Sequence, residues 1–194
     1  MGIAFLYLNM KKILIIILIS SSSLQIAFCT GKRVDYSQIE KRNDTTFQKD
    51  SNIPFTGTAF MNSNRGKLFM ETPYIDGFIN GTEKTYFENG NIKLSAEYYN
   101  SKYNGKLIYY FENGKPLSSE TYKDDFKYGE AKYWYSNGKL KKEGNYYDCR
   151  ETGLWIEYYE NGNIQSKGNY KLAEKTGLWE YYDSLGKLIK KEEN

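Results

Sequence analysis

"GLWIEYYENGNIQSKGNY", Gly153 to Tyr170, returns along the chain at a fixed step. Twenty-four residues later "GLWEYYDSLGKL" begins at Gly177, and twenty-four earlier "GEAKYWYSNGKLKKEGNY" begins at Gly129. Glycines open the units at Gly57, Gly81, Gly105, Gly129, Gly153 and Gly177. A second glycine follows nine places on, from Gly66 to Gly186, and Asn precedes it at Asn89, Asn113, Asn137 and Asn161. An aliphatic stands two places after that glycine at Leu68, Ile92, Leu140, Ile164 and Leu188, with Pro116 the exception. Tyrosine closes each complete unit, at Tyr74, Tyr98, Tyr122, Tyr146 and Tyr170. A period this regular, free of insertions, is the mark of an array whose units lean on their neighbours.

Asn-Gly between short aromatic or β-branched runs is a strong hairpin signal, because a two-residue type I′ turn needs positive φ at both central positions. The flanking runs, such as "WIEYY" and "NIQSKGNY", are too short for helices and rich in strand formers. The expected fold is therefore all-β: an elongated single sheet of antiparallel hairpins, about 11–13 strands, ~4.8 Å apart. The opening glycines are expected at the turns between units. With a two-residue loop, Tyr159 pairs with Ile164 and shares a face with Tyr170, while Tyr158 faces the other way; a longer turn would exchange the faces. Pro116 lacks a ladder donor and predicts a bulge or strand end.

The first 29 residues differ in kind. Lys11 and Lys12 precede the apolar run "ILIIILI" and the small, polar stretch "SSSSLQIAFC", the order of a secretory signal. Met10, directly before Lys11, is an alternative start. The apolar run is short for a membrane anchor, which needs ~20 residues. At Cys29 two routes remain open: lipidation, with Phe28 a poor lipobox residue, or cleavage to leave Thr30 first. The division expected is a signal at 1–29, a polar lead-in at 30–52 and the array at 53–194. The body would then lie in the periplasm, envelope or medium, touching membrane only through the signal or a lipid.

Without the two signal lysines the chain has 25 basic and 24 acidic residues and no basic stripe, so a nucleic-acid partner is not expected. Cys149 would be a solitary thiol. The chain has no histidine, the commonest general base and metal ligand. "SLGK", Ser184–Lys187, and "KTG", Lys175–Gly177, echo motifs of penicillin-binding enzymes, but both are built on repeat glycines and stand in reversed order. Glu88, Glu112 and Glu160 recur beside turns and single out no catalytic pair. No catalytic residue, cofactor or metal site is expected.

The unit G-x-W-x-x-Y-Y-x-N-G-x-L…Y, clearest at Gly153–Tyr170, resembles the variant MORN repeat of bacterial proteins. The resemblance runs from Phe55 to the end and includes the lead-in "RNDTTFQKDSNIPFTG", Arg42–Gly57. The first unit departs from it, with "MNSN" in place of the aromatic pair, as does the last at Leu185, in keeping with caps. It implies an elongated β array that binds proteins or, in some members, lipids; some bacterial members carry the label antitoxin. The function expected is an exported, non-enzymatic protein-binding scaffold. Immunity protein, lipid-associated repeat and carbohydrate binder are the alternatives. One of two aromatic columns is expected to line the more exposed contact face, either Tyr110, Trp134 and Tyr158 or Phe111, Tyr135 and Tyr159. The loops around Tyr99–Asn104 and Tyr147–Thr152 are the fallback.

Overall fold

The computed structural model describes residues 31–194. The signal, the start at Met10 and the processing choice at Cys29 fall outside the described residues. The chain opens with β1 (Lys32–Asp35), a 3₁₀ turn (Tyr36–Gln38), β2 (Ile39–Arg42) and β3 (Thr45–Gln48). The first repeat hairpin is β4 (Gly57–Asn62) and β5 (Leu68–Ile75), followed by the two-residue β6 (Phe78–Ile79). Four hairpins continue the series: β7 (Gly81–Tyr86) and β8 (Ile92–Tyr99), β9 (Lys102–Tyr110) and β10 (Pro116–Lys123), β11 (Phe126–Trp134) and β12 (Leu140–Tyr147), β13 (Arg150–Tyr158) and β14 (Ile164–Lys171). The last is β15 (Glu174–Tyr182) and β16 (Leu188–Glu193).

These strands form one 14-stranded sheet in sequence order from β4 onward, with β6 paired to β5 and β1 added in parallel outside β4. Thirteen strands run edge to edge, within the 11–13 expected, and the fourteenth is the short β6 beside β5; residues 32–48 of the expected lead-in are themselves folded as β1–β3. β2 and β3 form a separate hairpin, and Val34, Ile39 and Phe55 pack with Ala59 and Tyr74 into the one apolar cluster among the described residues. Thus 32–55 covers the first edge of the array, which would otherwise present unpaired backbone groups.

Beyond that cluster the sheet has no second layer, so burial must come from side chains lying over their own strands. Ala96, Leu107, Glu120, Ala131, Trp155 and Trp179 are buried along one face. Large residues there are matched by small ones. A β-carbon on Gly144 would lie 2.1 Å from the Trp155 ring, and one on Gly168 would lie 2.2 Å from that of Trp179. Each indole also donates to a backbone carbonyl, Trp155 to Asn145 at 3.2 Å and Trp179 to Asn169 at 3.1 Å. Glycine lets the indole rest directly on the neighbouring strand, which excludes water from a sheet only one layer thick.

The two kinds of turn are exchanged relative to the sequence expectation. At Asn161-Gly162, the Gly162 amide donates to the Tyr159 carbonyl at 2.8 Å and the Tyr159 amide to the Asn163 carbonyl at 2.9 Å. Only the glycine has positive φ, 95°. This is a three-residue turn closed by a glycine bulge, not a two-residue type I′ loop. Tyr158, not Tyr159, pairs with Ile164. The turns between units have two positive-φ residues each, as at Asn100–Ser101, Asp124–Asp125, Asp148–Cys149 and Leu172–Ala173, with φ between 48° and 73°. Tyr99 pairs directly with Lys102 across one of them, so these are the two-residue type I′ loops. The opening glycines lie in strands, at the start of β4 and β7 and inside the later ones, where Gly153 sits opposite a register shift between Glu143 and Asn145. Pro116 opens β10 at a shift that β12 and β14 share, so it sits where the ladder is already broken.

Candidate functional site

Why Asn precedes the turn glycine becomes clear from its two hydrogen bonds. The Asn161 side-chain oxygen accepts from the Asn163 amide at 2.9 Å, and its nitrogen donates to the Ser184 carbonyl of the next turn at 2.6 Å. Asn89 reaches the Glu112 carbonyl at 2.9 Å, and Asn137 reaches that of Glu160 at 3.3 Å. Lys115 and Lys139 add bonds from one turn to the next, to the carbonyls of Asn137 and Asn161. The turn carboxylates Glu88, Glu112 and Glu160 thus mark a column whose backbone carbonyls accept from the preceding turn. Ser184, of the S-x-x-K echo, serves the same role through its carbonyl.

The two aromatic columns singled out in the sequence lie beside this rim, and all six of their residues are half-buried. Three residues on from Trp155, Tyr158 points to the opposite face and donates to Glu143 at 2.7 Å. Tyr86 and Tyr182 do the same toward Glu71 and Glu180. Burial first, then the carboxylate that accepts from each, pushes the Tyr86 and Tyr158 phenols up to about 12. They stay neutral and donate. In the second column the hydroxyls of Tyr135 and Tyr159 reach the carbonyls of Tyr158 and Tyr182, at 2.7 and 2.8 Å. Phe111 and Tyr110 are held at the same depth, and Trp134 beside them. The hydroxyls of Tyr86, Tyr135, Tyr158 and Tyr159 thus staple one hairpin to the next.

The closing tyrosines form a third ladder on the face of the buried indoles. Tyr146 meets Trp155 edge-on at 5.2 Å between centroids, and Tyr170 meets Trp179 at 5.0 Å. Lys142 and Lys175 cap the indoles at 4.5 and 4.3 Å, a cation–π arrangement. Glu120, 7% exposed, is anchored on this side by Lys127 at 2.7 Å and by the hydroxyls of Tyr122 and Tyr133. Its burial was not legible in the sequence, where it reads as one more polar residue of a strand.

The aromatic side chains most open to solvent line the other rim, beside the type I′ turns. Tyr99 is 62% exposed, Phe126 54%, Tyr147 53% and Tyr128 44%. Tyr99 and Tyr147 hold the same repeat position, so they share a face, and Tyr128 stacks on Tyr147 at 5.3 Å. Leu154 and Leu178, in adjoining hairpins, are also exposed. Cys149 sits at φ 62° in one of these turns, exposed and unpaired among the described residues. The fallback loops around 99–104 and 147–152 already contained Tyr99 and Tyr147; Phe126 and Tyr128 carried no column signal.

A family model described as MORN repeat variant matches residues 79–100, 103–124, 127–147 and 151–172. Each match corresponds to one hairpin, from β7–β8 to β13–β14. No curated protein matches the chain. Among solved structures, one titled "Crystal structure of GtfA/B complex bound to UDP and GlcNAc" is similar over 68% of this chain and 23% of that one, at 12% identity and a TM-score of 0.23. This chain therefore spans less than a quarter of that one's length, and a likeness so slight carries no argument. The 24-residue spacing, the hairpin built on each unit and the four consecutive matches agree: residues 79–172 are an array of MORN repeat variants.

Proposed function

We propose that this chain is a non-catalytic scaffold that binds a protein partner outside the cytoplasm. The reading of residues 1–29 as an export signal supports the address. The observation that carries the binding reading is the run of exposed side chains at Tyr99, Phe126, Tyr128 and Tyr147 along the type I′ rim. In a one-layer sheet most large aromatics are at least half-buried, so rings left this open at successive type I′ turns add little burial to the fold. Rigid aromatics on a fixed backbone make efficient contact area, because little side-chain entropy is lost on binding. The half-buried columns at Tyr110, Trp134 and Tyr158, and at Phe111, Tyr135 and Tyr159, lie at the opposite strand ends, where they help to hold the array together.

The test is a pull-down from the envelope fraction of the native host, comparing the native chain with two double variants. Tyr99→Ser with Tyr147→Ser is expected to keep the melting temperature and lose the partner. Tyr110→Ser with Tyr158→Ser is expected to lower the melting temperature. Retention of the partner by a folded Tyr99→Ser, Tyr147→Ser protein would overturn the rim as the contact.

A further inference from the structure

The first repeat keeps the backbone of its siblings but lacks their ring. Ser63 stands in the column of Phe87, Phe111, Tyr135 and Tyr159. Its amide donates to the Lys67 carbonyl at 2.7 Å and its carbonyl accepts from Gly66 at 2.9 Å, the same two bonds that frame Tyr135 and Tyr159. The turn is therefore built as if for an aromatic, and Ser63 lines an open depression of about 480 Å³. Met61 and Phe69 give it apolar walls, and Arg65 and Glu88 stand at its mouth, 3.9 Å apart. The Ser63 hydroxyl oxygen is buried and has no hydrogen-bond partner among the described residues.

We propose that this depression is a binding site for a phenolic side chain, a tyrosine presented by a partner polypeptide. The protein's own repeats identify the occupant. In the tyrosine-bearing units, the hydroxyl at this column donates to a carbonyl of the next hairpin, Tyr158 for Tyr135 and Tyr182 for Tyr159. By repeat position, the Tyr86 carbonyl corresponds to these acceptors for the first unit. Above the rings of Phe87 and Tyr135 lie Lys93 and Lys141, at 5.9 and 5.6 Å. Phe69 replaces that lysine column in the first unit and remains 41% exposed. A ring donated from outside would stack on Phe69 where an internal ring would have met a lysine, exchanging a cation–π contact for an aromatic pair. The site deepens the binding reading by naming one chemical class, yet the two fail separately: a pull-down can succeed while this site stays inert, and the reverse.

The experiment titrates N-acetyl-tyrosine amide into the full chain while following the Met61 methyl resonance, with N-acetyl-leucine amide as control. A saturable shift with a Kd of order millimolar is expected for the tyrosine amide, and roughly tenfold weaker binding for leucine. Ser63→Tyr should fill the depression from within, abolish binding of the probe and raise the melting temperature by about 2–4 °C. Phe69→Ala, which removes an exposed wall, should weaken binding without unfolding the chain. No saturable shift on the native chain, equal binding of both amides, or undiminished binding to either variant would overturn the proposal.

Discussion

Glu83 and Glu180 show how differently a single-layer sheet treats two carboxylates. Glu83 is half-buried, with the Thr72 hydroxyl at 2.8 Å, and desolvation raises its pKa. Glu180 accepts from Lys167 at 3.0 Å, Tyr182 at 2.8 Å and Lys191 at 3.1 Å, and these donors hold its carboxyl down at about 2. The linkage signs are opposite. A raised carboxyl favours the fold below its unfolded value, and that contribution is lost as pH rises through the folded one. A depressed carboxyl contributes above its unfolded value, and the contribution is lost as pH falls toward about 2. Glu83→Gln should therefore raise the melting temperature at neutral pH and have less effect in acid. Glu180→Gln should lower it at neutral pH, with the loss fading in thermal melts below about pH 3. Gly168 makes a steric counterpart: Gly168→Ala should cost about 1–3 kcal/mol, because the Trp179 ring must shift. Trp179→Phe should recover part of that loss in a double-mutant cycle.

At the scale of the hairpin, the unit length, the strands and the antiparallel order were legible in the sequence, because glycine and tyrosine recur in step. The turn types were not. Asn-Gly suits either a type I′ loop or a three-residue turn with one left-handed glycine, and the deciding bond, Asn161 to Ser184, crosses to the next repeat. The type I′ loops carry no sequence signature because they lack Asn-Gly: Leu172 and Ala173 take φ of 53° and 72° despite their side chains. Replacing that pair with Asn-Gly should stabilise the protein by about 1–2 kcal/mol in denaturant unfolding. Gly138→Val should cost about 1–2 kcal/mol, since a β-branched residue resists the φ of 92° there. Lys139→Ala removes one exposed bond to the next turn and should cost no more than about 0.5 kcal/mol. Equal effects of the last two substitutions on the melting temperature would contradict the turn geometry. The exposed aromatics were only half legible for a related reason: which column faces water depends on register, and one residue in the turn decides it.

At the scale of the molecule, extended shape and binding are one argument, because a rim can present rings from several hairpins only if the hairpins lie side by side in one sheet. The 13 strands from β1 through β16 that follow one another edge to edge would span about 60 Å at ~4.8 Å each. The cluster of Val34, Ile39, Phe55, Ala59 and Tyr74 closes one end, and the other end is β16, whose Lys190, Lys191, Glu192 and Glu193 place charge along the last strand. Small-angle X-ray scattering of the chain from Gly31 onward measures this directly. A plate of that length and one sheet thick has a radius of gyration of about 20 Å, the result the account predicts. A value near 15 Å, that of a globule of the same length, would mean that the hairpins roll into a closed core and would contradict both the single-layer sheet and the rim it offers.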